Sequence, residues 1–290
     1  MATETASFGA GKRESHDASA FYRRRLLEHA PTVTTGEPQT PPDEIIDTLF
    51  CSSSEAMTEI PDDCVALMVT SPPYNVGKDY DDDLTLDEYL ELLHRVLAEA
   101  VRVLEPGGRV AVNVANLGRK PYVALNHYVA GILRDLGLLL RGEIVWQKAL
   151  GAGGSCAWGS WRSAKNPTLR DVHEYVIVAS KGSYRRSRLG KDTISKDEFL
   201  EATTSIWSIK PASARRVGHP APFPVDLPRR LIELYTFEGD LVLDPFIGSG
   251  TTAVAAVETG RHFVGYDNNA SYLELARSRI AAARGIAATE

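Results

Sequence analysis

Val65-Ala66-Leu67-Met68-Val69-Thr70-Ser71-Pro72-Pro73-Tyr74 decides the reading of this chain. Its first five residues form an unbroken apolar run, of a length that suits a strand buried on both faces of a parallel sheet. The two prolines end any ladder or helix, because each lacks a backbone donor and restricts the residue before it. What remains at the strand's carboxyl end is a short rigid loop whose carbonyls have lost regular partners. The Ser71 hydroxyl precedes them and the Tyr74 ring follows. Such a place fits an exocyclic amino group on a planar base: its N–H hydrogens meet carbonyl and hydroxyl oxygens while its ring lies on the tyrosine. The same four residues also occur in ordinary loops, so the tetrapeptide alone leaves both readings open.

A second apolar strand, Leu241-Val242-Leu243, leads into Asp244-Pro245-Phe246-Ile247-Gly248-Ser249-Gly250-Thr251-Thr252. The glycines let the backbone approach a ligand, and the exposed N–H groups of a helix starting at Thr251 favour a carboxylate. A dinucleotide site would show Gly-x-Gly-x-x-Gly, and that spacing is absent. Asp244 is placed to pair with an ammonium group. The next strand, His262 to Tyr266, ends in Asp267, where nucleotide folds put an acid on ribose hydroxyls.

The two motifs, in this order, resemble the amino-methylating DNA methyltransferases that use S-adenosylmethionine. The resemblance is to the permuted (beta-group) members, in which Ser/Asp/Asn-Pro-Pro-Tyr precedes the Phe-x-Gly-x-Gly loop, and it covers about Ile45 to Ala276. It implies an α/β, Rossmann-like methyltransferase fold: a mostly parallel seven-stranded sheet with helices on both faces and one antiparallel strand near its edge. Ser71, Pro72, Pro73 and Tyr74 would be catalytic, acting on a base flipped out of double-stranded DNA. The Ser-Pro-Pro-Tyr form resembles enzymes specific for the N4 of cytosine, with the N6 of adenine as the alternative. Asp244, Phe246, Gly248, Ser249, Gly250, Thr251 and Asp267 would hold the cofactor. The resemblance also lays His219, Pro220 and Phe223, from a proline-rich segment that otherwise reads as a rigid linker, against the cofactor's methionine part. Ser52 stands where relatives often carry an acid facing the adenine ring. A homodimer and a companion restriction endonuclease are compatible with the family. A protein or RNA methyltransferase usually has the opposite motif order, and a non-catalytic DNA-binding relative is a further alternative.

The 290 residues divide into a flexible arm, 1–42, a catalytic part, 43–180, a segment that would read DNA, 181–217, and a cofactor-binding part, 218–290. The net charge of −6 argues against a uniformly basic surface, but the interval Lys181 to Arg216 holds nine basic against four acidic side chains. Candidate DNA contacts are Asn75 and Lys78 after the catalytic turn, Trp158, Trp161 and Arg162 after a glycine-rich loop, and Arg185, Arg186 and Arg188. Each tryptophan equally suits an anchor on the core. Cys51, Cys64 and Cys156 are too few and scattered for a disulfide framework, and no metal is expected. No apolar run approaches the roughly 18 residues of a membrane span, and the expectation is a cytoplasmic protein.

Hydrophobic spacing predicts helices over Thr85–Leu104, Tyr122–Leu136, Leu227–Tyr235, Thr251–Thr259 and Tyr272–Ala283. Strands are expected at Ile45–Cys51, Arg109–Val114, Gly142–Gln147 and Val176–Ala179, the last two pairing at the sheet edge. Ser52-Ser53-Ser54 suits the cap of a further helix through Met57 to Ile60.

Overall fold

The apolar runs become the middle of one sheet. The structure, a computed structural model, describes residues 36–73, 84–117, 121–148, 159–212 and 223–285. In chain order the strands are β1 (Thr48–Phe50), β2 (Val65–Thr70), β3 (Leu104–Val114), β4 (Leu139–Gln147), β5 (His173–Ser180), β6 (Ile206–Ser208), β7 (Leu241–Asp244) and β8 (His262–Tyr266). They lie side by side as β1-β8-β7-β2-β3-β5-β4-β6. β5 is antiparallel to β3 and β4, and the other pairs are parallel.

The expected pairing of β4 with β5 is present, but β4 is not the edge. β6, drawn from the basic segment, adds to it in parallel and makes eight strands among the described residues where seven were expected. Its three residues are too few to leave a periodic signal. Trp207 is nevertheless buried at its centre.

Six α-helices cover the sheet among the described residues: α1 (Leu86–Val103), α2 (Leu125–Asp135), α3 (Lys196–Ala202), α4 (Asp226–Tyr235), α5 (Thr251–Glu258) and α6 (Ala270–Ala283). α1 starts at a reciprocal cap, where the Thr85 hydroxyl accepts from Glu88 N–H and the Glu88 carboxylate accepts from Thr85 N–H. Leu93 and Leu97 of α1 and Val129 of α2 pack with Val65 and Met68 on one face. Leu231 of α4, Ala253 of α5 and Leu273 of α6 pack with Leu67 and Val69 on the other. Burial on both faces is why β2 reads as a continuous apolar run rather than an alternating one. No helix among the described residues is long and apolar enough to cross a membrane.

Three expectations need correction. The first strand keeps only Thr48–Phe50, after a 3-10 turn at Asp43–Ile45. No helix forms through Met57 to Ile60; both side chains are buried in a turn whose carbonyls accept from the Arg102 guanidinium, at 2.8 Å for Met57 and 2.9 Å for Ile60. Tertiary hydrogen bonds take the place of helical ones there. Finally, β3 starts directly at the end of α1, so Pro106-Gly107-Gly108 lies within the strand. A Cβ on Gly107 would come within 2.2 Å of the Arg185 carbonyl oxygen, a close approach only glycine permits.

Candidate active site

β2 and β7 are direct neighbours, with Leu67 opposite Val242 and Met68 opposite Leu243, so both motif loops leave the sheet at the same end. Ligand sites in open α/β sheets form outside these carboxyl ends. One carboxylate ties the two loops together. Asp244 Oδ1 accepts from Thr70 Oγ1 at 2.7 Å and from Phe246 N–H at 3.1 Å, and its Oδ2 accepts from Thr252 Oγ1 at 2.6 Å. Burial pushes the Asp244 carboxyl up to about 6, against three donors that favour the ionised form. With 1% of its surface exposed, Asp244 does not face a ligand ammonium as expected. Its oxygens are turned inward and join the catalytic strand to the cofactor loop.

The glycine loop doubles back through left-handed residues, Gly248 at φ 49° and Gly250 at φ 78°. A Cβ on Gly250 would lie 2.8 Å from that of Ala276 on α6. Asp267, at the end of β8, accepts from Gly248 N–H at 3.0 Å and from Asn269 N–H at 2.8 Å, and burial raises its pKa. Arg279 of α6 grips the loop from behind: its Nη1 donates to Ser249 Oγ at 2.9 Å, to Thr251 Oγ1 at 3.1 Å and to the Ser249 carbonyl. A half-buried acid, a glycine turn and a helix start are thus gathered in one place. That donor and acceptor set fits a ligand with a diol at one end and a carboxylate at the other.

On the catalytic side, the Tyr89 hydroxyl of α1 donates to the Pro73 carbonyl at 2.7 Å and holds the Pro-Pro turn on the core. Asn113, near the end of β3, donates from Nδ2 to Ser71 Oγ at 3.3 Å and to Glu174 Oε2 at 2.7 Å. The other Glu174 oxygen is paired with Lys148 Nζ. Tyr89, Asn113, Glu174, Lys148 and Arg279 escape a reading by motif, because each reaches the site from its own element with nothing distinctive beside it; Thr70 and Thr252 lie within the two motif stretches, but their hydroxyls' shared partner, Asp244, shows only in the structure.

Of the residues singled out in the sequence, Ser71, Pro72 and Pro73 sit at the end of β2, and Phe246, Gly248, Ser249, Gly250 and Thr251 follow β7 beside them. Phe223 packs on the α4 side of the core. Ser52 is exposed in the loop after β1. Tyr74, Asn75, Lys78, Trp158, His219 and Pro220 lie outside the described residues. Trp161 is 68% exposed, and Arg162 beside it is an exposed residue at φ 47°.

The arginines after β5 divide. Arg185 is exposed. Arg186, expected to meet DNA, has a side chain only 6% exposed and is locked between Glu105, at 2.6 Å, and Asp240, at 2.5 Å. Arg188 bonds the Gln39 carbonyl at 2.7 Å and lies 3.5 Å from Glu105. These two serve the fold, at the amino ends of the strands and away from the loops that carry Ser71 and Gly248.

A parallel sheet with one antiparallel strand, a Pro-Pro turn ending one central strand and a glycine loop leading into a helix on its neighbour fit the class of nucleotide-dependent group-transfer enzymes. The family model N6_N4_Mtase, described as DNA methylase, matches residues 65–278. The type II methyltransferase M.HpaI of Haemophilus parainfluenzae is 32% identical over 244 residues, or 80% of this chain and 73% of that protein. M.BglI of Bacillus subtilis, also a type II methyltransferase, is 28% identical over 298 residues, covering 78% and 83%. The chain belongs to the N6/N4 DNA methylase family and is a DNA methyltransferase of that class. Among solved structures, TTHA0409 of Thermus thermophilus, crystallised with S-adenosyl-L-methionine, superimposes with a TM-score of 0.67 at 27% identity, over 81% of this chain and 95% of that one. The cytosine-N4-specific PvuII methyltransferase shares the fold, at a TM-score of 0.64 and 20% identity over 86% and 88% of the two chains.

Proposed function

We propose that this enzyme transfers a methyl group from S-adenosylmethionine to the N4 of a cytosine flipped out of double-stranded DNA. The observation that supports the reading is the junction, through Asp244, of the strand end that carries Ser71-Pro72-Pro73 with the loop that carries Gly248–Gly250. The order of the motifs along the chain, amine site first, supports the permuted arrangement, and the serine in the first motif supports cytosine over adenine.

Gly248, Ser249, Gly250 and Thr251 would hold the donor's carboxylate end and Asp267 its ribose hydroxyls, with Phe223 and Phe246 against its apolar parts. Bound there, S-adenosylmethionine supplies an electrophilic methyl group. The residues of the chain prepare the nucleophile. An exocyclic amine is unreactive while its lone pair is delocalised into the ring. Ser71 Oγ and the Pro72 carbonyl accept its two hydrogens, turn the nitrogen toward tetrahedral geometry and stabilise the positive charge that grows on it. The Pro73 carbonyl is already engaged by Tyr89. Tyr74 supplies the stacking surface for the extruded base. Positioning carries most of the rate, with no covalent intermediate. The names of the type II relatives support a companion endonuclease.

Incubating the enzyme with labelled S-adenosylmethionine and unmethylated DNA, then digesting to nucleosides, tests the choice of base. N4-methylcytosine is the expected product. Recovery of N6-methyladenine alone would overturn the assignment and keep the class.

A further inference from the structure

Glu174 is a buried carboxylate that the chemistry above does not use. It lies at the start of β5, the antiparallel strand, so its amino-terminal end arrives where the parallel strands have their carboxyl ends. Asn113 of β3 is opposite Val176, and Glu174, two residues earlier, projects to the same face. One more step along β2 from Thr70, opposite Val112, brings Ser71 level with Asn113. Strand register therefore lines up Ser71, Asn113 and Glu174 across three neighbouring strands.

The hydrogen bonds give that line a direction. The Asn113 amide nitrogen donates to Glu174 Oε2, at 2.7 Å, and to Ser71 Oγ, at 3.3 Å. A flipped amide would aim its oxygen at a carboxylate, which repels it, so the charge on Glu174 selects the orientation in which Asn113 donates. Glu174 has an 8% exposed side chain, and its other oxygen is clamped by Lys148 from the end of β4. Donation from Asn113 takes one acceptor direction of Ser71 Oγ and so limits those from which a further hydrogen can approach it.

We propose that Glu174, clamped by Lys148, is a positioning residue for methyl transfer: through Asn113 it sets the direction in which Ser71 accepts a hydrogen of the target amine. This rests on the assignment of Ser71 as amine acceptor, and the test separates the two. Single-turnover methylation of unmethylated plasmid DNA at saturating S-adenosylmethionine is measured for wild type, Glu174→Ala, Glu174→Gln, Ser71→Ala and the double variant Ser71→Ala/Glu174→Ala. Displacing a group that orients the reacting atoms costs on the order of 10–100-fold in rate. Glu174→Ala is expected to lose about that much with cofactor Kd within roughly twofold of wild type, and Glu174→Gln, whose single amide oxygen must serve either Lys148 or Asn113, to recover only part of it. In the Ser71→Ala background the same change should cost less than about twofold, because the group it positions is gone. An equal loss in both backgrounds, or a cofactor Kd that moves with the rate, overturns the proposal. A wild-type rate for Ser71→Ala overturns the Ser71 assignment itself. Should Glu174→Ala be insoluble, Lys148→Met carries the same comparison, with a smaller loss that again vanishes without Ser71.

Discussion

Both ends of the sheet bury charge, and Arg186 at one end and Asp244 at the other are treated in opposite ways. At the amino ends of the strands two buried cations meet carboxylates. Arg186 bridges Glu105 and Asp240, while Lys181 pairs with Asp63 at 2.7 Å and donates to the carbonyls of Arg102 and Leu104. At the carboxyl ends Asp244 meets only neutral donors, two hydroxyls and one amide. Compensated pairs fix the fold, whereas burial with no facing cation raises the pKa of Asp244 despite its three donors. A basic residue near the site in sequence is therefore no guide to which end of the molecule it serves.

The largest expected effect tests the amino end. Arg186→Ala leaves Asp240 without its cation and Glu105 with only the more distant Arg188, and loss of one partner from a buried pair costs about 3–5 kcal/mol. Urea unfolding of the variant against wild type measures it. A stability within error of wild type would mean that this end does not hold the fold.

Next in size is the pH dependence that the carboxyl end introduces. The Asp244 carboxyl moves from 3.8 to about 6 on folding, so the folded state prefers the protonated form. That preference stabilises fully below pH 3.8 and is lost as pH rises through about 6, an effect on the order of 3 kcal/mol. Stability followed between these pH values should fall in wild type relative to Asp244→Asn, in which the slope is absent. Identical slopes would show that Asp244 does not titrate differently in the two states.

Asp267→Ala removes the acceptor of the Gly248 and Asn269 amides together with the proposed ribose contact. Hydrogen bonds to a charged group are worth about 1.5–3 kcal/mol, so cofactor affinity should fall roughly 10–100-fold while turnover at saturating cofactor changes little. Calorimetric titration with S-adenosylmethionine decides, and equal affinities would break the division of labour between the two loops. The smallest effect is expected at Arg185, the exposed member of its cluster. Its replacement by alanine should leave stability unchanged and reduce the salt slope of DNA binding by about 0.9 if one phosphate contact is lost. An unaltered slope would remove Arg185 from the interface, as burial has already done for Arg186.

By itself the sequence determined the parallel core and the two loops. Unbroken apolar runs such as Val65–Val69 and Leu241–Leu243 suit strands covered on both sides, and the proline and glycine punctuation after them acts through local backbone sterics. Such constraints are legible because they operate within a few residues. Only the tertiary structure decided which polar groups meet. Thr70 and Asp244 are separated by 174 positions and Asn113 and Glu174 by 61, and register across the sheet, not spacing along the chain, brings each pair within hydrogen-bond reach. The same holds for Arg186, whose charge was plain in a basic segment. Its burial depended on Glu105 of β3 and on Asp240, just ahead of β7, which reach it from two distant parts of the chain.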